Sequence, residues 1–288
     1  MNLDAAAREF LMSLAADGRS PHTIAAYRRD LAVFTAFAGD ITLDDVTPTL
    51  LTSFMAHHSV QLGAGGARAQ SSINRYRVTV KALFAWAEAR WLVQRNPTAI
   101  LRCQRHRGLP PVILDAGEIA RLLEFDFAGT TGERDHLLIA FMLLTGCRLA
   151  ETCALEISDI DLVAGIAVLR KPKGGDPDRV LLNPRLVSIL KRQIDRATGP
   201  SSPLFASGRG RLSTRQVQRI VTQRVAEAGI SKPITAHSLR HSFACLLYNQ
   251  TGDIRLVQQA LRHTHVSTTE VYAQVEPARW RREIAELA

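Results

Sequence analysis

Apolar positions in the first hundred residues recur every three or four places and are punctuated by capping and turn residues. That spacing predicts amphipathic helices, each with one face in a core. Between Asp4 and Ala16, Phe10, Leu11 and Leu14 share a face, and Gly18 stops the run. Ser20 and Pro21 supply an N-cap and first-turn proline for a second helix to about Phe37, with Ile24, Tyr27, Leu31 and Phe34 inward. Thr47 and Pro48 repeat that signal for a third helix to about Ser59. A Gly/Ala loop, Gly63 to Ala69, then precedes a fourth helix from Ser71 to Leu92. This last helix sets Arg75, Arg77 and Lys81 beside Tyr76, Val80, Leu83, Phe84 and Trp86.

Asn96 and Pro97 end the helical pattern, and Arg102 to Val112 is basic, proline-containing and without period. The division expected is therefore a helical domain over 1–101, a linker over 102–112 and a second domain over 113–288. Asp115 and Glu118 open the second domain as a capping box. Leu137 to Thr145 is apolar all round, the pattern of a buried helix, and stops at Gly146. Gly165 to Arg170 and Arg179 to Leu182 read as strands flanking the polar tip KPKGGDPD. Helices follow over Pro184–Ala197 and Ser213–Ala228, then from His237, then from Asp253 to Leu261. A short segment, Ser267 to Val275, and an amphipathic tail, Glu276 to Ala288 with Trp280, Ile284 and Leu287, complete the chain. The fold class expected is mainly α, with a small β-hairpin in the second domain.

Charge adds a partner to this picture. The 288 residues carry 36 Lys and Arg against 27 Asp and Glu, a net +9. Residues 1–108 hold 13 against 8 and the remainder 23 against 19, so both domains are basic. A polyanion fits that balance. Arg75, Arg77, Lys81, Arg102, Arg105 and Arg107 are candidates for phosphate contact, and a solvated surface accounts for them too. The same pair of readings applies to Arg215, Arg219 and Arg224. Cys103, Cys147, Cys153 and Cys245 lack paired spacing, which argues against a disulfide framework or zinc site. Cys147 reads as a small packing residue. The first residues carry acids and no unbroken apolar stretch, and no run reaches transmembrane length, so a cytoplasmic protein without membrane contact is expected.

The candidate chemistry lies in the last half. His237 and Arg240, three apart at a helix start, face the same way on adjacent turns. His263 follows the next helix, and Tyr272 stands nine residues beyond it. Two histidines, an arginine and a tyrosine could converge on one anion. A tyrosine oxygen can attack phosphorus, splitting one transfer into two, and arginine offers a planar fork to the oxygens that gain charge. A matching arginine is Arg148, three residues before Glu151, whose carboxylate could hold the guanidinium or cap a neighbouring segment.

These residues resemble the tyrosine recombinases of the phage integrase family, in a Xer-like two-domain layout. The matching positions are Arg148 in TGCRLAE, Lys173 in KPKGGDPDR, His237 and Arg240 in HSLRH, His263 in LRH and Tyr272 in TTEVYAQV. The resemblance covers nearly the whole chain. It implies a SAM-like helical core-binding domain followed by an α+β catalytic domain, the two clamping double-stranded DNA. Tyr272 would form a 3′-phosphotyrosyl bond, with Arg148 and Arg240 on the phosphate, His237 and His263 assisting, and Lys173 protonating the 5′ oxygen. No metal or cofactor is implied. Four protomers on two duplexes would exchange strands, alone or with a second recombinase or accessory protein, and the tail would dock on a neighbouring protomer or fold back on its own. Two departures stand out: the tip after Lys173 is longer than in the family pattern, with Lys171 nearby, and Arg262 stands where the family has glycine. A side chain there changes the turn or adds a phosphate contact. A type IB topoisomerase and a catalytically silent DNA-binding accessory protein are the other function classes in view.

Overall fold

The computed structural model describes residues 1–104, 111–127, 129, 131–170, 177–195 and 199–262. It divides into two units, Met1–Gly108 and Leu109–Ala288. The hairpin tip with Lys173, the linker arginines Arg105 and Arg107, and everything from His263 onward, including Tyr272 and the expected tail, lie outside the described residues.

The first unit is helical: α1 (Leu3–Ala16), α2 (Pro21–Ala38), α3 (Pro48–Ala56), α4 (His58–Gln61) and α5 (Gln70–Ala89). Its helix starts follow the side-chain chemistry. The Asn2 carboxamide oxygen accepts from the Asp4 and Ala5 amides, and Ser20 Oγ accepts from the Thr23 amide at 3.1 Å ahead of Pro21. Phe10, Leu31, Phe34, Phe54, Leu83 and Phe84 fill the core between them.

Two helix ends fall short of the sequence expectation. The third helix stops at Ala56 instead of Ser59, because His57 turns extended and caps α4 through Nδ1. The fourth stops at Ala89 instead of Leu92, where Trp91 takes a left-handed φ of 59°. The Gly/Ala stretch closes as a miniature hairpin, β1 (Leu62–Gly63) with β2 (Gly66–Ala67).

The second unit is built around one helix. After α6 (Ala116–Glu124), whose Asp115 and Glu118 form the expected capping box, comes α7 (Gly132–Thr145). Its residues from Leu137 to Leu143 have no exposed surface. Apart from Ala140, each such side chain stabilises the fold by about 1.5–3 kcal/mol relative to exposure, so α7 is the natural centre of the layer around it. α8 (Leu149–Ala154) follows at once. A three-stranded antiparallel sheet then forms from β3 (Ile160–Asp161), β4 (Ile166–Leu169) and β5 (Asp178–Leu181), with Ile160 opposite Ala167 and Ala167 opposite Val180. The outer strand β3 adds to the expected hairpin.

α9 (Pro184–Ile194) starts where expected and ends three residues before Ala197, and a second miniature hairpin pairs β6 (Ala206–Ser207) with β7 (Gly210–Arg211). α10 (Thr214–Glu227), α11 (Ala236–Thr251) and α12 (Ile254–Leu261) complete the described part. The architecture is mainly α with small antiparallel sheets. Among the described residues no helix is long and apolar enough to cross a membrane.

Arg224 corrects the reading of α10 as a strip of free cations. Its side chain is buried, with Nη2 2.8 Å from Asp135 Oδ2 and Nη1 2.7 Å from Glu227. Asp135 on α7 is itself buried and also receives Arg134 at 2.5 Å. A buried carboxylate needs such partners, and Arg224 is consumed in supplying one.

Candidate active site

The turn out of α7 sets the first arginine. Gly146 caps that helix in the left-handed region at φ 62°, its amide donating to the Met142 carbonyl at 3.1 Å. A Cβ there would collide with the Phe243 ring and lie 3.1 Å from Leu261 Cδ2. Only glycine meets both conditions at low cost. Gly146→Ala is expected to lower the melting temperature by roughly 5–10 °C, from left-handed strain plus overpacking of the Phe243 site. Circular dichroism melts would check this, and an unchanged midpoint would mean that Phe243 repacks freely.

Cys147 follows, wholly buried, with its amide donating to Thr145 Oγ1 at 3.3 Å. Burial pushes its thiol up, so it packs as a small apolar residue. Arg148 is extended and leads into α8. Glu151 holds it twice: Oε2 accepts from the Arg148 amide and Oε1 from Nη1, both at 2.7 Å. Of the two roles that the sequence allowed for Glu151, it holds the guanidinium, and in place of capping a neighbouring segment it satisfies the orphan amide at the start of its own helix.

The second arginine comes from α11, whose first turn is fixed by Thr235 Oγ1 accepting from the Ser238 amide at 3.2 Å. His237 lies in that turn and is exposed. One turn on, Arg240 is buried, 3% exposed against 46% for the Arg148 side chain. Its Nη1 donates to the Gly146 carbonyl at 2.5 Å and its Nη2 to the Leu261 carbonyl at 2.6 Å. Arg240 thus ties the end of α7 to the end of α12 while presenting to the same space as Arg148.

That space is a cleft of about 540 Å³, lined by Cys147, Arg148, Thr235, His237 and Arg240 among others. Two guanidiniums and an imidazole at its wall suit a compact oxyanion. Partial burial, then the positive charges of Arg240 and Arg148, hold the His237 imidazole below its ordinary value. His237 is therefore neutral at pH 7 in the free protein, with its ring 4.2 Å from that of His241, edge-on. An NMR titration is expected to place its midpoint below about 6.5. Because the folded value is depressed, the unfolded chain binds the extra proton first, so stability falls as pH drops from about 6.5 through the folded midpoint. A bound anion favours imidazolium and should move that midpoint upward. A midpoint above 6.5 without anion would contradict this electrostatic picture.

A residue outside the expected set adjoins Arg148 and Glu151. Arg262, the C-cap of α12, is left-handed at φ 55° and ψ 45°, a conformation that costs a non-glycine residue about 1–2 kcal/mol. The turn that glycine would favour is thus kept. The side chain does not reach outward for a phosphate; it is 9% exposed and folds in to place Nη2 2.7 Å from Glu151 Oε2. Its carbonyl accepts from Arg148 Nη2 at 3.3 Å. Burial pushes the Glu151 carboxyl up, but the Arg148 amide and the Arg262 charge outweigh it and hold it below the usual range. The sequence signal for this was the substitution of glycine itself.

In the first unit the candidate DNA contacts divide. The Nε and Nη2 of Arg75 both bond the buried Asp30, which also accepts from Thr79 Oγ1. Arg77 donates to Asn74 Oδ1 at 2.9 Å; Arg75 is exposed despite its ion pair, as are Lys81 and Arg102. Arg77 and Lys81 are four apart and share a helix face, while Arg75 lies about 200° round the helix from Arg77.

Comparison with known proteins agrees with this architecture. Residues 113–279 match the phage integrase family, and residues 7–90 match the phage integrase N-terminal SAM-like domain. The tyrosine recombinase XerC of Xanthomonas axonopodis pv. citri (strain 306) is 32% identical over 279 residues, covering 93% of this chain and 91% of its own. The tyrosine recombinase XerC of Mycobacterium bovis (strain BCG / Pasteur 1173P2) is 34% identical over 278 residues, covering 92% and 91%. A crystal structure of a lambda integrase (75–356) dimer bound to a COC′ core site shares the fold at a TM-score of 0.75 and 22% identity, over 93% of this chain and 97% of that one. The chain belongs to the phage integrase family.

Proposed function

We infer that the protein is a site-specific tyrosine recombinase that cuts and rejoins strands of duplex DNA. The observation that carries this is the meeting of Arg148, Arg240 and His237 at one cleft, from segments far apart in the chain. In this reading Tyr272 Oη attacks the scissile phosphorus, the P–O5′ bond breaks, and a 3′-phosphotyrosyl bond forms. Arg148 and Arg240 neutralise the non-bridging oxygens as charge accumulates on them. His237, neutral in the free protein, accepts a proton or hydrogen-bonds the phosphate together with His263, and Lys173 protonates the departing 5′ oxygen. Attack by the 5′ hydroxyl of a partner strand reverses the sequence and restores the phosphodiester, so the energy of the broken bond is kept. Arg77, Lys81 and Arg102, with Arg105 and Arg107, contribute salt-sensitive phosphate contacts, and Arg75 supports them from its ion pair with Asp30. The matched lambda integrase structure is of a dimer on DNA, and the reading here is four protomers on two duplexes, alone or with a second recombinase or accessory protein.

The test is a nicked suicide duplex carrying flanking genomic sequence, on which cutting releases a short strand that cannot rejoin. A denaturant-resistant covalent adduct is expected. DNA retention without any adduct would favour a catalytically silent accessory role, and relaxation of a plasmid lacking a specific site would favour a type IB topoisomerase.

A further inference from the structure

Arg262 combines three features: a left-handed backbone at a non-glycine position, an almost wholly buried guanidinium and a place in a closed ring of interactions. The Arg148 guanidinium donates to the Arg262 carbonyl, the Arg262 guanidinium donates to Glu151, and Glu151 accepts from both the amide and the guanidinium of Arg148. Its Nε is buried without a hydrogen bond among the described residues and lies 3.9 Å from Asp178 Oδ2, at the start of β5. One side chain therefore links the end of α12 to the Arg148 turn and approaches the turn end of the β4–β5 hairpin, where Asp178 pairs with Leu169. With Glu151 bonded to both arginines, the Arg148 fork loses rotational freedom before any anion arrives.

We propose that Arg262 is a positioning residue, which clamps Glu151 and through it fixes the Arg148 guanidinium at the cleft. The positioning role rests on the recombinase reading above, whereas the clamp itself does not. Glycine at this position relieves the backbone while deleting the side chain, so a loss in Arg262→Gly reports the lost clamp rather than strain.

The first measurement uses the full chain without DNA: melting temperatures of the parent, Arg262→Gly, Glu151→Gln and the double variant. The expected result is a non-additivity of about 2–6 °C. Additive shifts would overturn the clamp whatever the enzyme does. The second is single-turnover adduct formation on the suicide duplex, beside DNA retention. Arg262→Gly is expected to slow cutting about tenfold to a hundredfold with retention unchanged, and Arg262→Lys, which keeps a charge for Glu151, to recover part of the rate. Parental cutting by Arg262→Gly would overturn the positioning role. An inactive parent would count against the recombinase reading, and the unfolding cycle would still decide whether Arg262 holds Glu151.

Discussion

Tyr272→Phe is expected to abolish the covalent adduct on suicide DNA, at least about a thousandfold below the parent, with DNA retention unchanged. The substitution deletes a single oxygen, so a loss confined to chemistry identifies that oxygen as the nucleophile. The other tyrosines strengthen the assignment. The chain has four: Tyr76 is buried in the core of the first unit, Tyr27 packs edge-on against Phe10 with ring centroids 5.8 Å apart, and Tyr248 packs against the small cluster joining α11 and α12. None of these three lines the arginine cleft. A phenol has a pKa near about 10, so its attack at neutral pH needs cations to favour the phenolate, a part that the recombinase reading proposed above gives to Arg148 and Arg240. A Tyr272→Phe protein that still forms adduct would require another nucleophile and would remove the basis for the roles given to both arginines.

What the sequence revealed depended on how local each determinant is. Ser20-Pro21, Thr47-Pro48 and the Asp115–Glu118 box act within one helical turn, and their helices begin where those residues say. The apolar run into Gly146 encodes both the burial of α7 and the left-handed stop that aims Arg148. The three-residue spacings of Arg148 with Glu151 and of His237 with Arg240 survive into the site because a helix converts such spacing directly into proximity. Determinants separated along the chain left no comparable trace. The Asp30–Arg75 pair spans 45 residues and the Glu151–Arg262 pair 111, and no periodicity encodes either. The miniature hairpins pair two residues a side, too few for alternation to register. Arg224, with the composition of a DNA-facing cation, became a core partner because Asp135 lies on the most buried helix of the unit.

Arg240 is the residue at which folding and chemistry are hardest to separate, and the expected effects of replacing it show how they divide. Arg240→Ala leaves the buried carbonyls of Gly146 and Leu261 without their donor, a cost of about 2–4 kcal/mol. It also removes one charged fork from the cleft. Loss of one preorganised donor to a developing oxyanion lowers the rate by about a hundredfold to a thousandfold, so cutting per folded molecule is expected to fall by that much. Arg240→Lys separates the two effects: an ammonium returns positive charge to the cleft but cannot span two carbonyls as a planar guanidinium does. It is expected to bind DNA as the parent does and to cut at a rate between those of parent and Arg240→Ala. Single-turnover rates, normalised to the folded fraction from circular dichroism, are the measurement. Cutting by Arg240→Ala within tenfold of the parent would reduce Arg240 to a strut between α7 and α12, leaving Arg148 as the main phosphate donor.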